Sequence, residues 1–132
     1  MFLIDANVLI DLYTDDPEWA DWSESALTEA ALTGELFINP IIYAEVSIAF
    51  TRTVKLDKAL EQTRIIRTEL PYSAAFLAGK AFMQYRRRGG LKRSPLPDFY
   101  IGAHAKHDSL RLLTRDPKRY RTYFPEVVLV CP

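Results

Sequence analysis

Four short apolar runs punctuate this chain: Phe2-Leu3-Ile4, Leu36-Phe37-Ile38, Leu112-Leu113 and Val127 to Val130. Each is too short for a helix. None alternates with polar residues, so a strand built from it buries both faces. The intervening stretches have helical spacing. Strands covered on both faces and joined by helices form a parallel sheet, since a parallel connection needs a crossover. The expectation is an α/β, three-layer fold: a short central parallel sheet flanked by helices, as one domain over residues 1–132.

The helices are placed by their apolar stripes and end signals. Val8, Leu9 and Leu12 follow the first strand. Asp16-Pro17 reads as an N-cap with proline at N1, opening a helix through Trp19, Trp22, Ala26 and Leu27 that stops at Gly34. Pro40 begins another. Leu56, Ala59, Leu60, Thr63, Ile66 and Leu70 read as one stripe closed by Pro71, and Ser73 as the cap of a helix carrying Leu77, Ala78, Ala81, Phe82 and Tyr85. Asp98 to about Ser109 and Pro117 to Tyr123 complete the set.

A chain of 132 residues that is 48% hydrophobic, with 17 basic and 17 acidic residues, suits one ordinary core. Met1-Phe2-Leu3-Ile4 is cut off by Asp5 with no basic residue before it, unlike a signal peptide, and no apolar run approaches bilayer length. Cys131 is the only cysteine, which excludes an internal disulfide; a cytoplasmic, non-membrane protein is expected. The charges are segregated. Residues 1–51 hold ten acids and no Lys or Arg, and the remainder holds all seventeen basic residues with seven acids, so the two parts carry −10 and +10. Either the parts interleave and neutralise each other, or a basic surface lies beside an acidic one.

Within the helix opening at Pro40, "NPIIYAEVSIAF", Glu45 lies three or four positions from Ile41, Ile42, Ile48 and Ala49. That spacing sets a carboxylate inside an apolar stripe. Asp98 shares its helix face with Ile101, Gly102 and Ala105, so it too is expected to point inward. Asp5 and Asp116 follow predicted strands, where open parallel sheets collect their sites. Either could be a simple helix cap, as Asp16 is read to be. Asn7 beside Asp5 and Thr114 beside Asp116 add polar groups at the same strand ends. Several inward carboxylates repel one another unless protonated or bridged by a cation. An all-oxygen donor set suits Mg²⁺ or Mn²⁺, and such ions act on phosphates. His104, His107 and Asp108 could form a second metal face, although no third ligand is evident. The loop from Arg86 to Arg93, with Arg86, Arg87, Arg88, Lys92 and Arg93, runs into Asp98 and is a candidate contact for a nucleic-acid backbone.

The segments "FLIDANVLIDL", "NPIIYAEV", "PLPDFYIGAHA" and "LLTRDPKRY" resemble, in order and spacing, the PIN domains, and among them the VapC-type toxins of toxin–antitoxin systems. The resemblance spans nearly the whole chain. It implies a PIN-like (Rossmann-like) fold, a metal-dependent endoribonuclease, catalytic metal-site acids at Asp5, Glu45, Asp98 and Asp116, and supporting polar groups at Asn7 and Thr114. His104 falls where the family often has a residue without a catalytic role. The resemblance further implies a homodimer, and a small cognate antitoxin whose C-terminal segment enters the active-site groove. The acidic N-terminal part with Trp19 and Trp22 is one candidate docking surface. RNA would be cleaved by in-line attack of water, leaving 5′-phosphate and 3′-hydroxyl ends. The sequence leaves open one ion or two, and which RNA.

Three rivals are weaker. A haloacid-dehalogenase-like phosphatase usually needs an acid two residues after Asp5, where this chain has Asn7. A phospho-receiver needs a phospho-accepting Asp on a middle strand and a late strand-end Lys, and neither is apparent. A non-catalytic PIN-like binding module would have no need of acids at all four positions.

Overall fold

The computed structural model describes all 132 residues. The elements run β1 (Phe2–Ile4), α1 (Ala6–Tyr13), α2 (Ala20–Thr33), β2 (Leu36–Ile38), α3 (Pro40–Ser47), α4 (Thr53–Gln62), β3 (Ile65–Arg67), α5 (Tyr72–Arg87), α6 (Pro97–His107), β4 (Arg111–Leu113), α7 (Lys118–Tyr123) and β5 (Leu129–Val130). The five strands form one parallel sheet in the order β3-β2-β1-β4-β5, flanked by the seven helices. β1 is central and fully buried, as its unbroken apolar run requires. Phe2 pairs with Leu36 on one side and Arg111 on the other.

This order decides where a site can form. From β1 the chain steps outward through β2 to β3, then returns to the opposite side of β1 as β4 and β5. The winding therefore reverses between β1 and β4, and the crevice beyond their carboxyl ends is left open. Asp5 follows β1 there and Thr114 follows β4; the Asp5 N–H donates to the Leu113 carbonyl at 2.9 Å, locking the two ends together.

Three local expectations need correction. The stripe from Leu56 to Leu70 is not one helix: α4 ends at Gln62, Arg64 turns with φ of 56°, and Ile65–Arg67 form β3. A helix would have buried Ile66, which is instead exposed while Ile65 is buried. Pairing with the unsatisfied edge of β2 outweighs the helical period, and β-branched isoleucines suit a strand. Asp16 caps a turn, not α2 itself: its Oδ1 accepts from the Glu18 and Trp19 amides at 2.9 Å, and α2 starts at Ala20. Ser73 does not cap α5, which begins at Tyr72, because its hydroxyl is engaged with His107.

The core is one cluster of 27 buried residues spanning the sheet and its helices. Its tightest helix approach is at Gly102 on α6, where a Cβ would lie 2.3 Å from the Phe124 ring. The halves of the sequence do not interleave through ion pairs: Arg115–Asp11 is the only salt bridge joining the first 51 residues to the rest. No helix is long and apolar enough to cross a membrane.

Candidate active site

Asp5 is the anchor of the crevice. Its side chain caps α1, Oδ1 accepting from the Ala6 amide at 2.8 Å. Its other oxygen, Oδ2, accepts from the Thr114 and Tyr120 hydroxyls, each at 2.8 Å. Asn7 is tied into the same arrangement, its Nδ2 donating to Thr114 Oγ1 at 3.3 Å while its Oδ1 accepts from the Arg115 amide at 3.1 Å. Thr114 Oγ1 also accepts from the Asp116 amide at 3.1 Å. A network within α1 and the β4 end thus sets the position of Asp5, and Asn7 and Thr114 are its connecting members.

Asp5, Glu45 and Asp98 share one electrostatic neighbourhood. Burial, with a smaller contribution from the Asp98 charge, pushes Asp5 up to about 6 despite the donors around it. Burial and then the charges of Asp5 and Asp98 push Glu45 up to about 7. Asp98 is also raised by burial, opposed by Arg119 and the Tyr120 hydroxyl. Glu45 Oε1 is buried with no hydrogen-bond partner, alone among the buried side-chain polar atoms. A buried, unpartnered carboxylate oxygen is costly, and a function is the usual compensation.

Glu45 reaches this position differently from its spacing. α3 ends at Ser47, so Ile48 and Ala49 lie beyond the helix and are exposed, Ile48 at 84%. Only Ile41 and Ile42 flank it from the core side. Asn39 sets the helix start: its Oδ1 accepts from the Ile42 amide at 2.9 Å. Asp116 stands apart from the inner three. It is exposed at the crevice rim, where it and Asp98 line a depression of about 290 Å³ with Tyr85, Lys118, Arg119, Thr122 and Tyr123. No three acidic or histidine side chains converge into a ready cation cage.

Three contributors escaped sequence reasoning. Tyr120, buried in α7, reaches Asp98 Oδ1 at 3.3 Å as well as Asp5. Its neighbour Arg119 pairs with Asp98 Oδ2 at 3.3 Å. Both lie in "LLTRDPKRY", but only as ordinary members of a short helix; the signal available was Tyr120's place one turn after Asp116. Arg115 was likewise unremarked. It grips the buried Asp11 through Nε at 2.7 Å and Nη2 at 3.0 Å, lies over the Trp19 ring, and so ties the β4 end to α1 and the start of α2.

The histidine face is a hydrogen-bond relay. Asn39 Nδ2 donates to His104 Nδ1 at 3.0 Å, since Asn39 Oδ1 is occupied, which leaves His104 Nε2–H to donate to Asp108 at 2.9 Å. The other Asp108 oxygen meets His107 Nδ1 at 2.7 Å, and His107 Nε2 meets Ser73 Oγ at 2.6 Å. With every ring nitrogen engaged, these residues clamp α3, α5 and α6 together and leave no coordination position for a metal. The expected basic loop starts later than Arg86: Arg86 and Arg87 form the last turn of α5, and Arg86 donates to the Gly90 and Lys92 carbonyls and so holds the shape of the loop that follows. Gly89 turns it with φ of 88°. Arg87, Arg88, Lys92 and Arg93 are exposed and free of carboxylate partners, and Arg88 stacks over Tyr123 at the edge of the acidic depression.

The family model for the PIN domain matches residues 2–125. No curated protein matches the chain in sequence. Among solved structures, VapBC2 from Rickettsia felis, bound to a promoter DNA fragment, has a chain with TM-score 0.76 and 16% identity over 99% of this chain and 98% of that one. A toxin–antitoxin complex from Klebsiella pneumoniae gives TM-score 0.70 and 26% identity over 97% and 96%. FitAcB from Neisseria gonorrhoeae gives 0.67 and 22% over 98% and 96%.

Proposed function

The chain belongs to the PIN-domain family, a family of nucleases that generally use divalent metal ions, and on that premise we propose that it is a Mg²⁺- or Mn²⁺-dependent endoribonuclease acting as a VapC-type toxin. The observation that carries the reading is that Asp5 and Asp98 meet on the Tyr120 hydroxyl at the β1/β4 crevice, within electrostatic reach of Glu45, one of whose oxygens is buried and unpartnered. The donors are all oxygens and mutually repelling, which fits a hard divalent cation and not zinc. Asp5, Glu45 and Asp98 would hold it, and Asp116 would serve from the rim. When bound, the cation supplies a Lewis acid for the phosphoryl oxygen and for the attacking water.

The chain's own residues do the rest. Thr114 and Asn7 fix the Asp5 carboxylate. Asp116, exposed beside Asp98, can accept a hydrogen bond from water entering the depression. Lys118 on its wall, with Arg87 at the end of α5 and Arg88, Lys92 and Arg93 on the loop after it, draws a single-stranded phosphate backbone across the carboxylates. The toxin reading is supported by the toxin–antitoxin neighbour at 26% identity. It brings a small antitoxin and a homodimer as partners, in the cytoplasm. A cavity of about 480 Å³ between α1, α2 and α4, lined by Leu12, Tyr13, Leu27, Ala31, Leu36 and Ala59 with Glu24, Thr28, Gln62 and Thr63, suits an amphipathic antitoxin helix better than the tryptophans do. Trp19 and Trp22 are partly buried, edge to face, with Arg115 over Trp19.

The test is Asp98→Asn, assayed for Mg²⁺-dependent cleavage of single-stranded RNA with the fold checked by circular dichroism. Cleavage is expected to fall at least a hundredfold. Undiminished cleavage by a folded variant refutes the assignment.

A further inference from the structure

We propose that the Tyr120 hydroxyl is a positioning group that stands in for the cation: it bridges Asp5 and Asp98 while the site is metal-free and must give up Asp5 when a cation binds. The inference rests on the site reading above and concerns how that site is kept and switched.

The bonds of Asp5 define the problem. A carboxylate oxygen offers two lone-pair positions. Both positions of Asp5 Oδ2 are taken at 2.8 Å, one by Thr114 and one by Tyr120, with the Asn7 side-chain amide farther off at 3.5 Å. A cation that coordinates this oxygen has to displace one of them. Thr114 is the harder to move, because its oxygen also accepts from the Asp116 and Asn7 donors and is held from several sides. The Tyr120 oxygen accepts from no donor, so nothing beyond its own two contacts fixes the direction of its O–H. It has one proton for two carboxylates, Asp5 at 2.8 Å and Asp98 at 3.3 Å. Rotation about the Cζ–O bond can carry that proton from Asp5 to Asp98 without moving the ring, which is packed in the core and 1% exposed.

The same geometry explains why the crevice is stable without a cage. Two neighbouring carboxylates repel in a site of low polarity. A buried phenol, strongly disposed to keep its proton there, gives both of them a shared donor. Arg119 does the same for the outer Asp98 oxygen with a full charge. Glu45 has no such donor, and its buried oxygen is left waiting. α7 therefore carries two adjacent stand-ins, one neutral and one charged. Tyr120 is the one that spans the pair.

The experiment is calorimetric titration of Mg²⁺ into the metal-free full chain, wild type against Tyr120→Phe, with melting temperatures measured in EDTA. Phenylalanine keeps the ring and removes only the hydroxyl. The variant is expected to melt lower in EDTA and to bind Mg²⁺ about tenfold more tightly, since a bond to a charged group no longer has to be broken first. A purely structural role would lower the melting temperature without tightening the metal. Unchanged or weaker Mg²⁺ binding overturns the proposal. A wild type with no saturable Mg²⁺ binding instead overturns the site reading beneath it. Should the variant not fold, wild-type protein carrying ¹³Cζ-tyrosine answers the same question by NMR. The Tyr120 resonance is expected to move upfield as Mg²⁺ saturates the site and the phenol stops donating to Asp5, and a resonance that stays in place overturns the proposal.

Discussion

Replacing Glu45 by glutamine removes a charge and keeps the shape. In the folded metal-free chain, burial and the charges of Asp5 and Asp98 hold Glu45 at about 7, against an ordinary value of 4.5. For a carboxyl group raised in this way, the folded state binds its proton more tightly than the unfolded state does. Stability is therefore greatest below the unfolded value and is lost as pH rises through 7. At pH 8 the folded chain carries the full penalty of an ionised Glu45. The shift corresponds to at most ~3 kcal/mol. Glu45 is only half-buried, so screening by solvent reduces this to on the order of 1–2 kcal/mol. Glu45→Gln should thus raise the melting temperature at pH 8 in EDTA by roughly 3–8 °C. The gain should shrink as pH falls from 7 toward 4.5 and vanish below that value, where wild-type Glu45 is protonated in both states. Differential scanning calorimetry at pH 5, 6, 7 and 8 measures it, and Mg²⁺ titration should show weaker binding by the variant. A lower melting temperature at pH 8, or a gain independent of pH, would mean that Glu45 is an ordinary core acid with its own hydrogen bonds, and the electrostatic account would fail.

Other consequences follow from particular contacts. Arg115→Met should destabilise the fold by on the order of 2–3 kcal/mol in urea denaturation, because it strands the buried Asp11 with only Ser23 as a donor. Gly102→Ala should cost about 1–3 kcal/mol, since the added methyl meets the Phe124 ring. Removing charge from the exposed loop as Arg87→Gln, Lys92→Gln and Arg93→Gln together should weaken RNA binding and flatten its salt dependence by about two to three counterions while leaving the melting temperature unchanged. An unaltered salt slope would remove the loop from the RNA path.

Ten acids precede the first basic residue along the chain, and one ion pair joins the two parts. The crevice draws on both: Asp5 and Glu45 come from the first, and Asp98, Asp116, Lys118 and Arg119 from the second. The crevice was legible because its elements are local. Asp5 follows an unbroken apolar triplet, Asp116 comes just after the Leu112-Leu113 pair of β4, and Asp98 heads a helix whose first turn has proline at N1. Glu45 was found by helical spacing, although its apolar surroundings proved thinner than that spacing implied once α3 stopped at Ser47.

Apolar runs and breakers act over a few residues, so the sequence alone determined a parallel α/β chain, the ends of its central strands and where the four candidate acids stand along them. β3 was hidden because Ile65-Ile66 satisfy a helical stripe as well as a strand, and only the open edge of β2 decides between them. Tyr120 was hidden for a related reason. A tyrosine in a short helix has no local mark of function; it gains one only because the sheet order brings α7 over the end of β1, 115 residues away along the chain, and sets one hydroxyl between two carboxylates. Periodicity can state which residues face inward, but what they meet there is fixed by long-range packing.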